Sequence, residues 1–167
     1  LDAISNQFIV GDDALNKQYR SILSFDPANL PDNAVITGAT LKIKKTGSLG
    51  VDPFLSMGKI LVDIKRGGFA NENYNLQLID FYAAGSKNYL TSIPNVSVGG
   101  WFTKSLGASS FPYIHLDGGT QLRLRFALDD NNDLAANYLR FASGNAIMTS
   151  RPQLIISYYV PDLDTAP

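Results

Sequence analysis

Apolar and polar residues alternate with period two through most of this chain, and that alternation confines it to β-structure. The stretch "ATLKIKKT" sends Ala39, Leu41 and Ile43 to one side and Thr40, Lys42 and Lys44 to the other. "KILVDIKRG" sets Ile60, Val62 and Ile64 against Leu61, Asp63 and Lys65, and "QLRLRFAL" sets Leu122, Leu124, Phe126 and Leu128 against Arg123 and Arg125. "QFIVG" points Phe8 and Val10 one way. "YRSILSF" reads as one strand, with Tyr19, Leu23 and Phe25 on its apolar face, and "PQLIISYYV" closes the pattern with Leu154, Ile156, Tyr158 and Val160. One buried face per strand predicts antiparallel sheets with a wet outer face.

Turn residues punctuate these runs. "GDDALN", "DPANLPDNA", "TGSLGVDP", "RGG", "LDGGT", "DDNND" and "ASGNA" all break the alternation. In "NLPDNAVI", Pro31 presets a turn, Asp32 and Asn33 complete it, and Val35 opens the next strand. Residues 72–84 are the exception: Leu76, Ile79 and Tyr82 or Ala83 fall at helical spacing and predict a short helix across one end of the sheets. Trp101, after "VGG", opens a further strand, and no internal repeat is visible. The predicted fold is all-β: a two-sheet antiparallel sandwich of jelly-roll type with at most one or two short helices. Residues 1–160 form that one domain, and 161–167 read as a tail or linker. The chain opens mid-pattern at Leu1, as a mature or trimmed product would.

Composition narrows the chemistry. Of 15 acidic residues only Glu72 is a glutamate, and His115 is the single histidine. There is no cysteine, so disulfides, thiolate metal sites and cysteine nucleophiles drop out together. With a net charge of −1 and its basic residues dispersed, the chain offers no footprint for nucleic acid. No run of eighteen apolar residues is present to insert into a membrane.

Three groups of residues are candidates for a site. The first is "DDNND". Asp129, Asn131 and Asp133 copy the first half of an EF-hand loop, but Leu134 stands where the loop needs Gly and Arg140 where it needs Glu. A polar turn is the first reading, because Asp and Asn bond their own backbone there. A structural calcium ion is the second, with Asp12 and Asp13 joining from another strand end. Aromatics are the second group. Sugar rings stack on exposed aromatic faces, so Trp101, Tyr74, Tyr82, Tyr89 and Tyr113 are glycan-contact candidates; a lone Trp in a sandwich is nevertheless more often core. Phe25, Phe126 and Phe141 are assigned to the core. Third, His115 and Asp117 leave the same face of one strand, but no G-x-S-x-G elbow supplies a nucleophile. No catalytic constellation stands out, and the chain reads as a non-enzyme.

Two stretches carry a family resemblance. Arg20, Leu23 and Phe25, then Leu30, Pro31, Ala34, Ile36, Ala39 and Leu41, match an Arg-x-x-Leu-x-Phe strand followed by an LP-x-x-A-x-I-x-x-A-x-L turn and strand. Arg151, Pro152, Leu154, Ile156 and Tyr158 match a closing RP-x-L-x-I-x-Y. Together they resemble the DNRLRE-type β-sandwich domains, which are similar to carbohydrate-binding modules. The resemblance covers the first quarter and last third of the chain and leaves residues 46–110 unmatched. It implies a non-catalytic module of secreted or surface proteins of bacteria or archaea. Such domains commonly carry a further strand before the "VG" segment. Here only "LDAISNQ" precedes Phe8, so the N-terminus is shortened or a neighbour supplies that strand.

The expected function is accordingly a structural module of an extracellular or cell-surface assembly such as a fibre, sheath or adhesin, with self-association or neighbouring domains as partners. β-Strand addition would join the copies, using Phe8, Ile9 and Val10 as the assembly strand. The alternative is a glycan-binding module attached to a secreted hydrolase, with polysaccharide as its partner.

Overall fold

The computed structural model describes residues 1–27 and 29–162. Ten strands follow one another: β1 Gln7–Asp12, β2 Gln18–Tyr19, β3 Ser21–Phe25, β4 Val35–Leu49, β5 Ile60–Arg66, β6 Lys87–Ile93, β7 Trp101–Ser105, β8 Thr120–Phe126, β9 Asn137–Ala142 and β10 Gln153–Tyr159. A one-turn helix, α1, covers Pro53–Ser56, where Asp52 caps the Phe54 amide and Pro53 presets the first turn. The strands make two antiparallel sheets. One has six strands, with β10, β4, β9, β1 and β2 in a row and β7 also paired to β4; the other runs β3, β8, β5, β6. This is the two-sheet sandwich that the alternation predicts.

The 15-residue β4 organises the larger sheet. Val35–Lys42 pairs with β10, Thr40–Lys44 with β7, and Lys45–Leu49 with β9. Its inward residues Leu41 and Ile43 meet Ile60, Val62, Ile64, Leu122, Leu124 and Phe126 from the smaller sheet, all fully buried. Aromatic rings link the two layers. Phe8 stacks on Phe141 at 5.2 Å, Phe141 meets Phe102 at 5.7 Å, Phe102 stacks on Phe54 at 5.9 Å, and Phe54 meets Phe126 edge-on at 5.3 Å. The three phenylalanines assigned to the core from the sequence lie in or against it: Phe126 and Phe141 are buried, and Phe25 packs against the core cluster from the rim. Gly11 is required where β1 meets β9. At its φ of +143° a Cβ would lie 2.2 Å from the Asn137 carbonyl oxygen.

The structure departs from expectation in three places. "YRSILSF" is not one strand. The chain leaves the larger sheet after Tyr19 and enters the smaller at Ser21, with Arg20 at the crossing. Residues 72–84 hold only a short 3₁₀ turn, Leu78–Phe81, closed reciprocally by Gln77 and Asp80. That segment does not cross an end of the sandwich. It belongs to a strap, residues 67–86, laid over the outer face of the smaller sheet. As a result this sheet has no wet face there, and Asp63, Gln121 and Arg123 are all buried on it. Of the tail, residues 163–167 lie outside the described residues.

Phe102 touches rings from both halves of the aromatic series. Phe102→Ala is expected to cost about 3–5 kcal/mol, read as a fall in the urea midpoint, and Phe102→Leu well under half of that.

Candidate functional site

The Asp-rich loop holds itself together. Asp12 is buried at the end of β1 and accepts the Asn131 amide at 3.3 Å and the Asn137 amide at 3.2 Å. Burial raises its carboxyl above the ordinary Asp range, only partly offset by those amides. Asp133 accepts the Ala135 amide and the side-chain amides of Asn131 and Asn137, and with the Ala135 amide leading it sits below the ordinary range. The remaining candidates turn elsewhere. Asp129 accepts from Gln18 and pairs with Arg20, and Asp13 accepts the Leu15 and Lys17 amides of its own turn. The structure thus brings Asp12, Asn131 and Asp133 together and leaves Asp13 and Asp129 out. Both asparagine NH₂ groups aim at Asp133, where a calcium ion would need oxygen ligands instead. Among the described residues, no group of three or more His, Asp or Glu side chains is arranged to hold a metal ion.

The aromatic candidates separate onto different surfaces. Tyr74, Tyr82 and Tyr89 lie on the strapped side. Tyr74 accepts the Gly119 amide through its hydroxyl and lines an open groove of about 390 Å³ beside β3. Tyr82 is 80% exposed, next to Phe81 and the Arg20 guanidinium. Tyr89, 61% exposed, lies under the Arg125 guanidinium at 4.6 Å. Tyr113 packs against the core from a 3₁₀ turn.

Trp101 is on the opposite side of the molecule. It pairs with Lys44 across the ladder, so its indole lies on the outer face of the larger sheet and not in the core. Lys42 and Lys44 hold their ammonium groups 5.0 and 5.3 Å from the ring centre. Arg140 joins this face from β9, stacked on Tyr138 and donating to its hydroxyl at 2.9 Å. Apart from buried Asp12, no strand of this sheet carries a carboxylate. Among the described residues no ion pair neutralises Lys42, Lys44 or Arg140. Phe8, Ile9 and Val10 stand on β1, paired with β9 of their own chain.

The most elaborate polar cluster was not singled out from the sequence. A bulge in β6 sets Asn88, Tyr89 and Leu90 opposite Asp63 alone and gives Tyr89 a φ of +54°. The Tyr89 amide donates to Asp63 at 2.9 Å. The other Asp63 oxygen accepts Arg123 Nε and Nη2 at 3.0 and 2.8 Å, and Arg125 Nε at 3.3 Å. Arg123 Nη1 then donates to the strap carbonyls of Asp80 at 2.9 Å and Ala83 at 2.7 Å. Arg20 holds the Phe81 carbonyl at 2.6 Å, and Gln121 accepts the Phe69 amide at 2.8 Å. Two arginines, Arg20 and Arg123, and a glutamine therefore fasten the strap. Burial alone would raise the Asp63 carboxyl, but the Tyr89 amide and the two guanidinium groups outweigh it and hold it below the ordinary range. The signal in the sequence was an Asp and an Arg on neighbouring strands, at positions that alternation assigns to solvent.

His115 Nε2 pairs with Asp117 at 2.8 Å, and Nδ1 is buried without a hydrogen-bond partner among the described residues. A catalytic triad needs acid and nucleophile on the two different nitrogens; among the described residues this histidine has an acid on one and no partner on the other.

Asp63→Asn should destabilise the fold by about 3–5 kcal/mol at neutral pH, because Arg123 is left buried and unpaired. A carboxyl held below its unfolded value stabilises above the ordinary Asp range, and that contribution fades as pH falls through the folded value. The gap between wild type and Asp63→Asn, followed by urea unfolding from pH 7 downward, should therefore narrow in acid.

No protein-family model matches this chain, and no curated protein matches it.

Proposed function

We propose that this chain is a non-catalytic extracellular module that docks on acidic polysaccharide through the outer face of its larger sheet. The observation that carries the reading is Trp101, turned outward between Lys42 and Lys44 on a face with no exposed carboxylate on its strands. A flat indole offers the stacking surface that a sugar ring uses. The ammonium groups beside it suit uronate or sulfate substituents, and Arg140 adds a planar donor with carboxylate-binding geometry. An attraction built this way is local, since the chain as a whole carries a net charge of −1. Its non-catalytic, extracellular part is what the sequence resemblance to DNRLRE-type domains implies.

Trp101→Ala is expected to weaken retention on an immobilised polyuronate about tenfold or more, equivalent to some 1.4 kcal/mol or above. Lys42→Glu with Lys44→Glu should abolish it. Circular dichroism should show both variants folded, because the three side chains lie outside the core. Undiminished retention by the folded Trp101→Ala protein would sink the reading.

A second reading, a structural subunit of a surface fibre, sheath or adhesin, is favoured by one end of the sandwich. There Val51, Leu55, Val96, Val98, Leu15 and Leu134 are all exposed. Hydrogen bonds from Asn95 to Asp52, Val51 to Asn137, and Leu134 to Asn16 join their loops. Exposed apolar surface of this kind marks contact sites. Electron microscopy of the concentrated chain should show filaments that Leu55→Ser with Val98→Ser removes; their absence from the unaltered chain counts against this reading.

A further inference from the structure

We infer that the outer edge of β10 pairs antiparallel with the same edge of a second copy, joining two larger sheets into one. Among the described residues β10 is hydrogen-bonded to β4 alone, so its other edge presents unpaired backbone groups. Natural sheets blunt such edges with charges, proline, bulges or brevity. The other edge strands do so here. β2 has two residues, β6 carries Lys87 and a bulge, β7 carries Lys104, and the five-residue β3 has the N-terminal segment beside it, where Asp2, Ala3 and Ser5 line the neighbouring groove. β10, "QLIISYY", has seven residues and neither charge nor proline. The one irregularity in its ladder places the extra residue, Thr37, on β4, so β10 itself runs regularly.

Burial points the same way. The larger sheet is two strands wider than the smaller, and its inward side chains lose cover toward β10. Leu41 and Ile43 of β4 are fully buried, Leu154 and Ile156 of β10 only partly, and Tyr158 is 42% exposed. A further strand alongside β10 would cover them, and β10 itself has the required pattern. An antiparallel pairing centred on Ile156 sets Ile156 against Ile156 and Leu154 against Tyr158 on the core side, with Ile155 against Ser157 on the other. No like charges face each other. The same register brings Arg151 of each copy to Pro161 and Asp162 of the other, an opposite-charge pair at both ends. Because the two edges are identical, the contact closes on a twofold axis and stops at two copies.

The test is sedimentation equilibrium on the chain and on Ile155→Lys, with oxidative cross-linking of two cysteine variants, and it is independent of polysaccharide binding, which is assayed separately. The unaltered chain should dimerise reversibly. Ile155→Lys, on the solvent side of β10, should stay folded by circular dichroism and raise the dimer dissociation constant about tenfold or more. Ile156→Cys, the only cysteine in its chain, should give disulfide-linked dimers on mild oxidation, whereas Thr103→Cys on β7 should not. A chain that is monomeric over its whole soluble range, or a dimer that withstands Ile155→Lys, overturns the proposal.

Discussion

The smaller sheet is held by the Arg123 guanidinium, and much of the molecule follows from where that one group points. It lies on the face away from the core, fully desolvated, with Asp63 on one side and strap carbonyls on the other. Taking a guanidinium and a carboxylate out of water is costly, and the cost is recovered only where every donor and lone pair finds a partner. Asp63 meets that condition through the bulge in β6, which frees the Tyr89 amide from the ladder. The bulge in turn holds Tyr89 in a left-handed conformation that is unfavourable by about 1–3 kcal/mol. The strap, the bulge and the buried charges are therefore joined in one hydrogen-bonded construction.

That construction makes the two outer faces of the sandwich unlike. The smaller sheet is covered over much of its outer face by the strap, which takes up Arg123 and Gln121. The larger sheet is bare, and its outward positions carry cations, hydroxyls, one indole, the tyrosines Tyr138 and Tyr159, and Ile155. The difference in sheet width acts alongside it: a four-stranded layer cannot shelter the whole of a wider one, so the last strand projects beyond the shared core with its inward residues half covered.

The architecture was legible because sandwich burial has a period and turns have a chemistry. β4, β5, β8 and β10 all lie where alternation places them, bounded by the Gly, Pro, Asn and Asp clusters that break it. The strap was not legible, because an irregular segment that buries the second face of a sheet leaves no period of its own. Arg123 and Asp63 looked solvated for the same reason: alternation reports two faces but not what covers each. Arg20 hid a sheet crossing, since a strand that changes sheets keeps its pattern on both sides of the crossing. Asp12 and Asp13 are chemically identical neighbours, and only the third dimension decides that one is buried against Asn131 and Asn137 while the other caps its own turn. Trp101 went against the base expectation for a large aromatic because its partner across the ladder is Lys44, an outward position on β4, a pairing that no local pattern discloses.

Charge is also sorted in space. Lys42, Lys44 and Arg140 stand on one broad face, while Asp129, Asp130 and Asp133 gather on a loop beyond the end of β8. The separation is local, since Lys65, Arg66 and Lys87 stand on the smaller sheet and Asp129 is paired with Arg20. On the proposed reading, the cations of the bare sheet would be the charges that an acidic polysaccharide meets first. Added salt, by shortening the reach of those charges to about 8 Å at physiological strength, would act first on how often such encounters succeed and only afterwards on how long they last.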